Sequence, residues 1–173
     1  MPRNVEIKAR VERIEALAGR AAAIADQGPT EIVQDDTFFR CDTGRLKLRQ
    51  FADGQGELIY YRRANQQGPK ESFYIVSRTA TPDALRESLA LAYGVIGRVK
   101  KRRTLFLTGR TRIHLDRVES LGDFLELEVV LAEGEPTDEG VKVAHEVMHA
   151  LGVEPSQLVD GAYLDLLARG RLA

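Results

Sequence analysis

Three carboxylates near the middle of the chain are the residues best placed to do chemistry. The chain reads Ile113-His114-Leu115-Asp116, then a turn, then Leu121-Gly122-Asp123-Phe124-Leu125-Glu126-Leu127-Glu128-Val129-Val130-Leu131. Side chains two apart share a face of a strand. As strands, these segments put Asp116, Glu126 and Glu128 on one face, with Ile113, Leu115, Leu125, Leu127, Val129 and Leu131 behind them. Crowded carboxylates repel and raise one another's pKa unless a cation sits among them. A divalent metal ion is the simplest such cation.

Holding such a group requires strands, and the same alternation recurs along the chain. Asn4, Glu6, Lys8 and Arg10 alternate with Val5, Ile7, Ala9 and Val11. Arg45-Leu46-Lys47-Leu48-Arg49 repeats the pattern with three cations, Leu58 to Arg63 ends in Arg62 and Arg63, and Ser72 to Ser77 is a further short strand. Val99 to Leu107 holds Lys101 and Arg103 on one face, and Arg112 shares the face of Asp116. Period-two alternation of this kind predicts half-buried strands. Helices are expected between them: Glu12 to Asp26, stopped by Gly28-Pro29; one opened by Thr81-Pro82 and ended before Gly94; one from Thr137 to near Gly152; and one from about Ser156 to Ala168. Asp53-Gly54-Gln55-Gly56 and Asn65-Gln66-Gln67-Gly68-Pro69 are expected turns or loops.

If the charged faces turn inward, the sheet closes into a barrel with a charged lumen and helices over its apolar outer face. Lys8, Arg10, Lys47, Arg49, Arg62, Lys101, Arg103 and Arg112 would then demand an anionic guest, and guanidinium forks suit phosphate oxygens. Periodicity alone is equally served by a sheet whose charged face meets water.

The totals fit this frame. With 173 residues, 43% of them hydrophobic, the chain is expected to form one domain over 1–173 with one sizeable core. Its 25 basic and 26 acidic residues give a net charge of -1, which offers no global attraction to nucleic acid or membrane. A single cysteine, Cys41, excludes an internal disulfide framework and fits a reducing cytosol. Met1-Pro2-Arg3-Asn4 leads directly into a charged strand, unlike a signal peptide, and no stretch is apolar enough to span a bilayer as a helix. A cytoplasmic location is the expectation, and oligomeric state is not readable.

Other motifs carry less. His145-Glu146-Val147-Met148-His149 is a literal zincin His-Glu-x-x-His, but Val141, Val143, Ala144, Val147, Met148 and Leu151 form the apolar arc of that helix and leave both histidines on the polar side. The extended form of the motif would need a third ligand where Pro155 stands. Cys41 has no histidine near it in sequence to activate it, and there is no phosphate-cradling Gly-x-x-x-x-Gly-Lys loop. Tyr60, Tyr61 and Phe73 read as sheet packing rather than as base-stacking platforms.

In order and spacing the charged motifs resemble the CYTH domain of class IV adenylate cyclases and thiamine triphosphatases, the triphosphate tunnel metalloenzymes. Val5-Glu6-Ile7-Lys8 resembles the N-terminal Glu-x-Glu-x-Lys signature, Asp36-Thr37-Phe38-Phe39 the Asp-x-Tyr-Phe element, and Leu46-Lys47-Leu48-Arg49 the Leu-Arg-x-Arg strand. Leu58 to Arg62 is similar to the strand ending in a basic residue, and Lys101 to Phe106 to the Lys-x-Arg-x-x-Tyr pattern. Asp116, Leu121-Gly122 and Glu126-Leu127-Glu128 resemble the Asp, Leu-Gly and Glu-x-Glu elements, and Tyr163 to Leu167 the C-terminal Tyr-x-x-Leu-Leu. The branch most resembled is that of the class IV cyclases.

The resemblance implies an α+β fold, a closed antiparallel barrel of about eight strands around a tunnel, with helices outside. It implies Glu6, Asp116, Glu126 and Glu128 as ligands of Mg²⁺ or Mn²⁺. It implies Lys8, Lys47, Arg49, Arg62, Lys101 and Arg103 as phosphate-binding residues, with Arg112 beside them. Catalysis would rest on Glu6, Lys8, Asp116, Glu126 and Glu128. The implied substrate is a small-molecule triphosphate: ATP converted to cyclic AMP and pyrophosphate, or ATP, thiamine triphosphate or tripolyphosphate hydrolysed. The chain departs from the signature at Asn4, where the family has a glutamate; losing that charge weakens any second metal and leaves a catalytically weak polyphosphate binder as the contrasting expectation.

Overall fold

A computed structural model describes residues 2–64 and 66–172, with side chains to residue 170. Asn65, in the expected loop over 65–69, lies outside the described residues, as do Met1 and Ala173. The chain order is β1 (Arg3–Arg10), α1 (Ile14–Ile24), β2 (Gln27–Phe39), β3 (Arg45–Phe51), β4 (Gly56–Arg63), β5 (Lys70–Thr79), α2 (Pro82–Tyr93), β6 (Val95–Thr108), β7 (Thr111–Val118), β8 (Gly122–Val130), α3 (Thr137–Ala150), a 3₁₀ turn (Pro155–Gln157) and α4 (Tyr163–Leu172). The eight strands form one closed barrel in the order β1-β5-β4-β3-β2-β6-β7-β8, with every pairing antiparallel.

The apolar member of each alternating pair faces out. Val5, Ile7, Ile113, Leu115, Leu125, Leu127 and Val129 are fully or almost fully buried against Leu17 and Ala21 of α1 and Ala144 and Met148 of α3. At about 25 cal/mol per Å² of apolar surface, this layer is the main force holding the two helices to β1, β7 and β8. On the outer face of β5 the cover is thinner, and Ile75 remains 49% exposed.

One end of the lumen is closed by a second apolar cluster. Phe38, Val99, Val118 and Phe124 point inward there and pack with Tyr163 and Leu166 of α4. Leu164 occupies the space that a Cβ on Gly97 would need, and Arg45 of β3 pairs with Asp165 of α4. The segment before α4 crosses the same end: Val159 N–H donates to the Lys8 carbonyl, and Ala9 bridges Leu158.

Three expectations change. The fourth helix does not run unbroken from Ser156, because the chain leaves the 3₁₀ turn through Gly161, whose φ of 81° breaks the helix, and starts again at Tyr163. The strand β2 is longer than any alternation announced, and β6 begins at Val95, ahead of the expected Val99. Pro82 and Gly94 bound α2 as predicted, the glycine at φ 81°. Among the described residues no helix is long and apolar enough to cross a membrane.

Candidate active site

The lumen leaves a cavity of about 340 Å³ lined by side chains of all eight strands and by Ala162 and Tyr163. Its chemistry is segregated by strand. β1, β7 and β8 carry Asn4, Glu6, Lys8, Arg112, His114, Glu126 and Glu128, while β3 and β6 carry Lys47, Arg49, Lys101 and Arg103. Ile32, Phe51 and Val76 line the end of the strands opposite α4.

On the acidic wall, cross-strand register does the positioning. Lys8, Glu126 and His114 form one row across β1, β8 and β7, and Glu6, Glu128 and Arg112 the next. Ligand atoms of His114, Glu126 and Glu128 lie within 4.8 Å of one another, and among the described residues no other three-residue group of His, Cys, Asp and Glu is gathered so closely. His114 Nδ1 is 3.9 Å from Glu128 Oε1 and has no hydrogen-bond partner although it is buried. Burial and then the charge of Arg103 hold the imidazole well below its ordinary pKa, which favours the neutral ring.

The two glutamates of this wall are not equivalent. Burial opposes ionisation of Glu126, yet Lys8, Arg103 and Lys101 hold it well below the usual carboxylate range. Its Oε2 lies 3.6 Å from Arg103 and 3.9 Å from Lys8. Glu128 is pushed up by burial and by the charge of Glu126, against Arg112, whose Nε donates to it at 3.0 Å. Glu6 accepts from Arg63 at 3.0 Å. A cation among these groups would relieve the Glu126–Glu128 repulsion and give the orphaned imidazole nitrogen a partner, so the donor set fits a divalent metal.

The cationic wall is organised by two buried aspartates. Asp36 accepts from Lys47 at 2.9 Å and from Arg49 at 2.8 and 2.9 Å. Asp116 accepts both arms of Arg103 at 2.7 Å and the Tyr163 hydroxyl at 2.8 Å, and Lys101 lies 3.8 Å away. Burial alone would raise both carboxyls, but the paired cations hold each well below its ordinary value of 3.8. Lys8 donates to the Gly161 carbonyl at 3.1 Å and lies 4.1 Å from the centre of the Tyr163 ring; burial lowers its pKa to about 8, with Glu126 pulling the other way.

The structure thus brings Glu6, Lys8, Lys47, Arg49, Lys101, Arg103, Arg112, Glu126 and Glu128 to one cavity. Asp116, expected among the metal ligands, is placed behind the cavity wall. It is completely buried, its oxygens accept from Arg103 and Tyr163, and it does not line the cavity. Arg62, expected among the phosphate-binding residues, lies outside the cavity: parity in β4 turns Glu57, Ile59, Tyr61 and Arg63 inward, and the Arg62 guanidinium lies 5.6 Å from the Phe73 ring centre. Arg10 is also outside the cavity, 4.8 Å from the ring centre of Phe124. Sequence reasoning missed Arg63, one residue from the position chosen, and His114, two residues before Asp116 on the same strand face. His145 and His149 lie exposed on α3, and Cys41 is a half-buried free thiol.

A closed eight-stranded tunnel with facing acidic and cationic walls defines a class, and comparison of the sequence supplies the family. The CYTH domain model matches residues 2–163, and the chain belongs to the CYTH domain family. No curated protein matches. Among solved structures, the PH1012 protein from Pyrococcus horikoshii is similar at 25% identity and a TM-score of 0.84, over 94% of this chain and 98% of that one. A candidate adenylate cyclase from Vibrio parahaemolyticus is similar at 18% identity and a TM-score of 0.79, over 95% and 97%. A candidate adenylyl cyclase from Hippeastrum, described as having a dominant triphosphatase activity, is similar at 16% identity and a TM-score of 0.63, over 87% and 88%.

Proposed function

We propose that this protein is a divalent-metal-dependent enzyme that transfers a phosphoryl or nucleotidyl group of a small organic triphosphate. The observation that carries this reading is the facing of Lys47, Arg49, Lys101 and Arg103 against Glu6, Glu126 and Glu128 across one cavity. A triphosphate needs cations along its whole length, and catalysis needs charge placed where it develops in the transition state. Glu126, Glu128 and His114 would hold the metal, with Glu6 beside them, and Mg²⁺ or Mn²⁺ fits the oxygen-rich set. When bound, such an ion supplies Lewis-acid stabilisation of the transferring group.

The protein's own part is to bind, orient and exclude water. Asp36 fixes Lys47 and Arg49, and Asp116 fixes Arg103, so these donors are set before an anion arrives and pay little ordering entropy on binding. Lys8, still mainly charged at neutral pH, reaches into the lumen beside Glu126. The apolar plug under α4 keeps water from one end of the cavity.

The reaction read first is cyclisation of ATP. The substrate's 3′-hydroxyl attacks the α-phosphorus, a new O3′–P bond forms, the bond to the bridging oxygen breaks, pyrophosphate leaves and the hydroxyl proton passes to a base. Ile32, Phe51 and Val76 at the open end support an organic group there over bare tripolyphosphate. The second reading is hydrolysis of the terminal phosphate, which the activity ascribed to the Hippeastrum neighbour favours. Incubation with ATP, thiamine triphosphate and tripolyphosphate, each with Mg²⁺ or Mn²⁺, separates them. Cyclic AMP with pyrophosphate supports the first, orthophosphate without cyclic AMP the second. No product from any substrate, with tripolyphosphate still bound, would leave a binder and refute the enzyme.

A further inference from the structure

We infer that His114 is a nitrogen ligand of the metal site and turns that site from Mg²⁺ toward Mn²⁺; this rests on the metal-dependent reading above. Three observations meet at this side chain. His114 is 4% exposed, its Nδ1 has no partner, and that nitrogen points at Glu128, 3.9 Å from Oε1. No protein group satisfies this buried nitrogen, and His114 lines the cavity, so the nitrogen is open to a partner that enters the lumen.

The position is set by the fold rather than by a flexible arm. His114 faces Glu126 directly across the β7–β8 register, and Glu128 lies two residues further along the same face of β8. The ligand atoms of the three lie within 4.8 Å of one another, so small side-chain rotations bring them to one ion with bonds of about 2.1 Å. Carboxylates suit Mg²⁺, but imidazole is a poor partner for it and suits first-row transition ions. A set of two carboxylates and one imidazole therefore discriminates between two ions that a purely carboxylate site treats more evenly.

The test uses the intact protein and Mn²⁺ alone, without nucleotide. Electron-spin-echo spectra of the bound ion should carry nitrogen modulation from a coordinated imidazole. That modulation should vanish in H114A and H114Q and persist in an H145A/H149A variant. By calorimetry, both His114 variants should lose roughly 10- to 100-fold in Mn²⁺ affinity, as even outer-shell losses do, with Mg²⁺ affinity within about threefold of the parent. The parent spectrum carries the test even if a variant misfolds. Bound Mn²⁺ without nitrogen modulation, modulation lost in H145A/H149A instead, or equal loss of both ions in the His114 variants would overturn the inference. Abolition of Mn²⁺ binding by E126Q or E128Q, with no nitrogen signal, would leave the metal-dependent reading standing while this one fails; no Mn²⁺ binding at all would remove both.

Discussion

Arg62 and Arg63 are neighbours in β4 that point to opposite faces of the barrel wall, and the difference is measurable. R63A should weaken tripolyphosphate binding by roughly 10- to 100-fold, the worth of one charge-assisted contact, while R62A stays within about twofold. Asp116 gives a second contrast. Removing one partner of a buried ion pair costs about 3–5 kcal/mol, so D116N should lower urea stability by about that amount yet leave Mn²⁺ affinity of any folded fraction little changed; a metal ligand would do the reverse. Lys8, at about 8, gives a pH signature. Its charged form binds the anion, so affinity for tripolyphosphate should fall above pH 8 with a limiting slope of about tenfold per pH unit, and K8M should lose that limb. The sequence made the charged rows legible because alternation fixes parity. It misplaced Arg62 because two adjacent arginines look alike until the register says which faces in. His114 escaped because a lone histidine on a strand announces no partner until Glu126 is seen opposite it.

At the scale of elements, α4 and the segment before it behave as a stopper locked by polar contacts. Tyr163 donates to Asp116 and its ring lies beneath Lys8 and Lys101, at 4.1 and 4.8 Å. Y163F keeps the ring and loses only the hydroxyl, so urea denaturation should report a loss of about 1.5–3 kcal/mol, the range for a hydrogen bond to a charged group. This end of the barrel was the least legible part of the fold. Toward α4 the inward positions switch from charged to apolar at Phe38, Val99 and Phe124, which breaks the rule that made the rest readable. The first half of β2 is exposed and polar, so no alternation marks it, and it is held by its pairing with β6 rather than by its own composition.

The barrel encloses paired charges in its wall and lumen, which ties the stability of the whole molecule to acidity. Asp36 and Asp116 are both held below their ordinary value of 3.8 in the folded state. A carboxylate depressed by folding contributes stability above its unfolded pKa and loses it as pH falls toward the folded one. Melting temperature should therefore drop steeply below about pH 4, and D116N should flatten that drop. The barrel closes by pairing the first strand with the last, Glu6 against Glu128, and with β5. Such pairings have high contact order: a long loop must close before any of them is rewarded, which places folding in the millisecond-to-second range. Glu6 and Glu128 meet only when that seam closes, so a partly folded chain can carry His114, Glu126 and Glu128 on the β7–β8 pair but lacks the enclosed lumen in which the two walls face each other. On refolding from urea, tripolyphosphate binding and the final tyrosine signal should return with one shared rate constant; binding that returned ahead of it would mean the walls assemble without the seam.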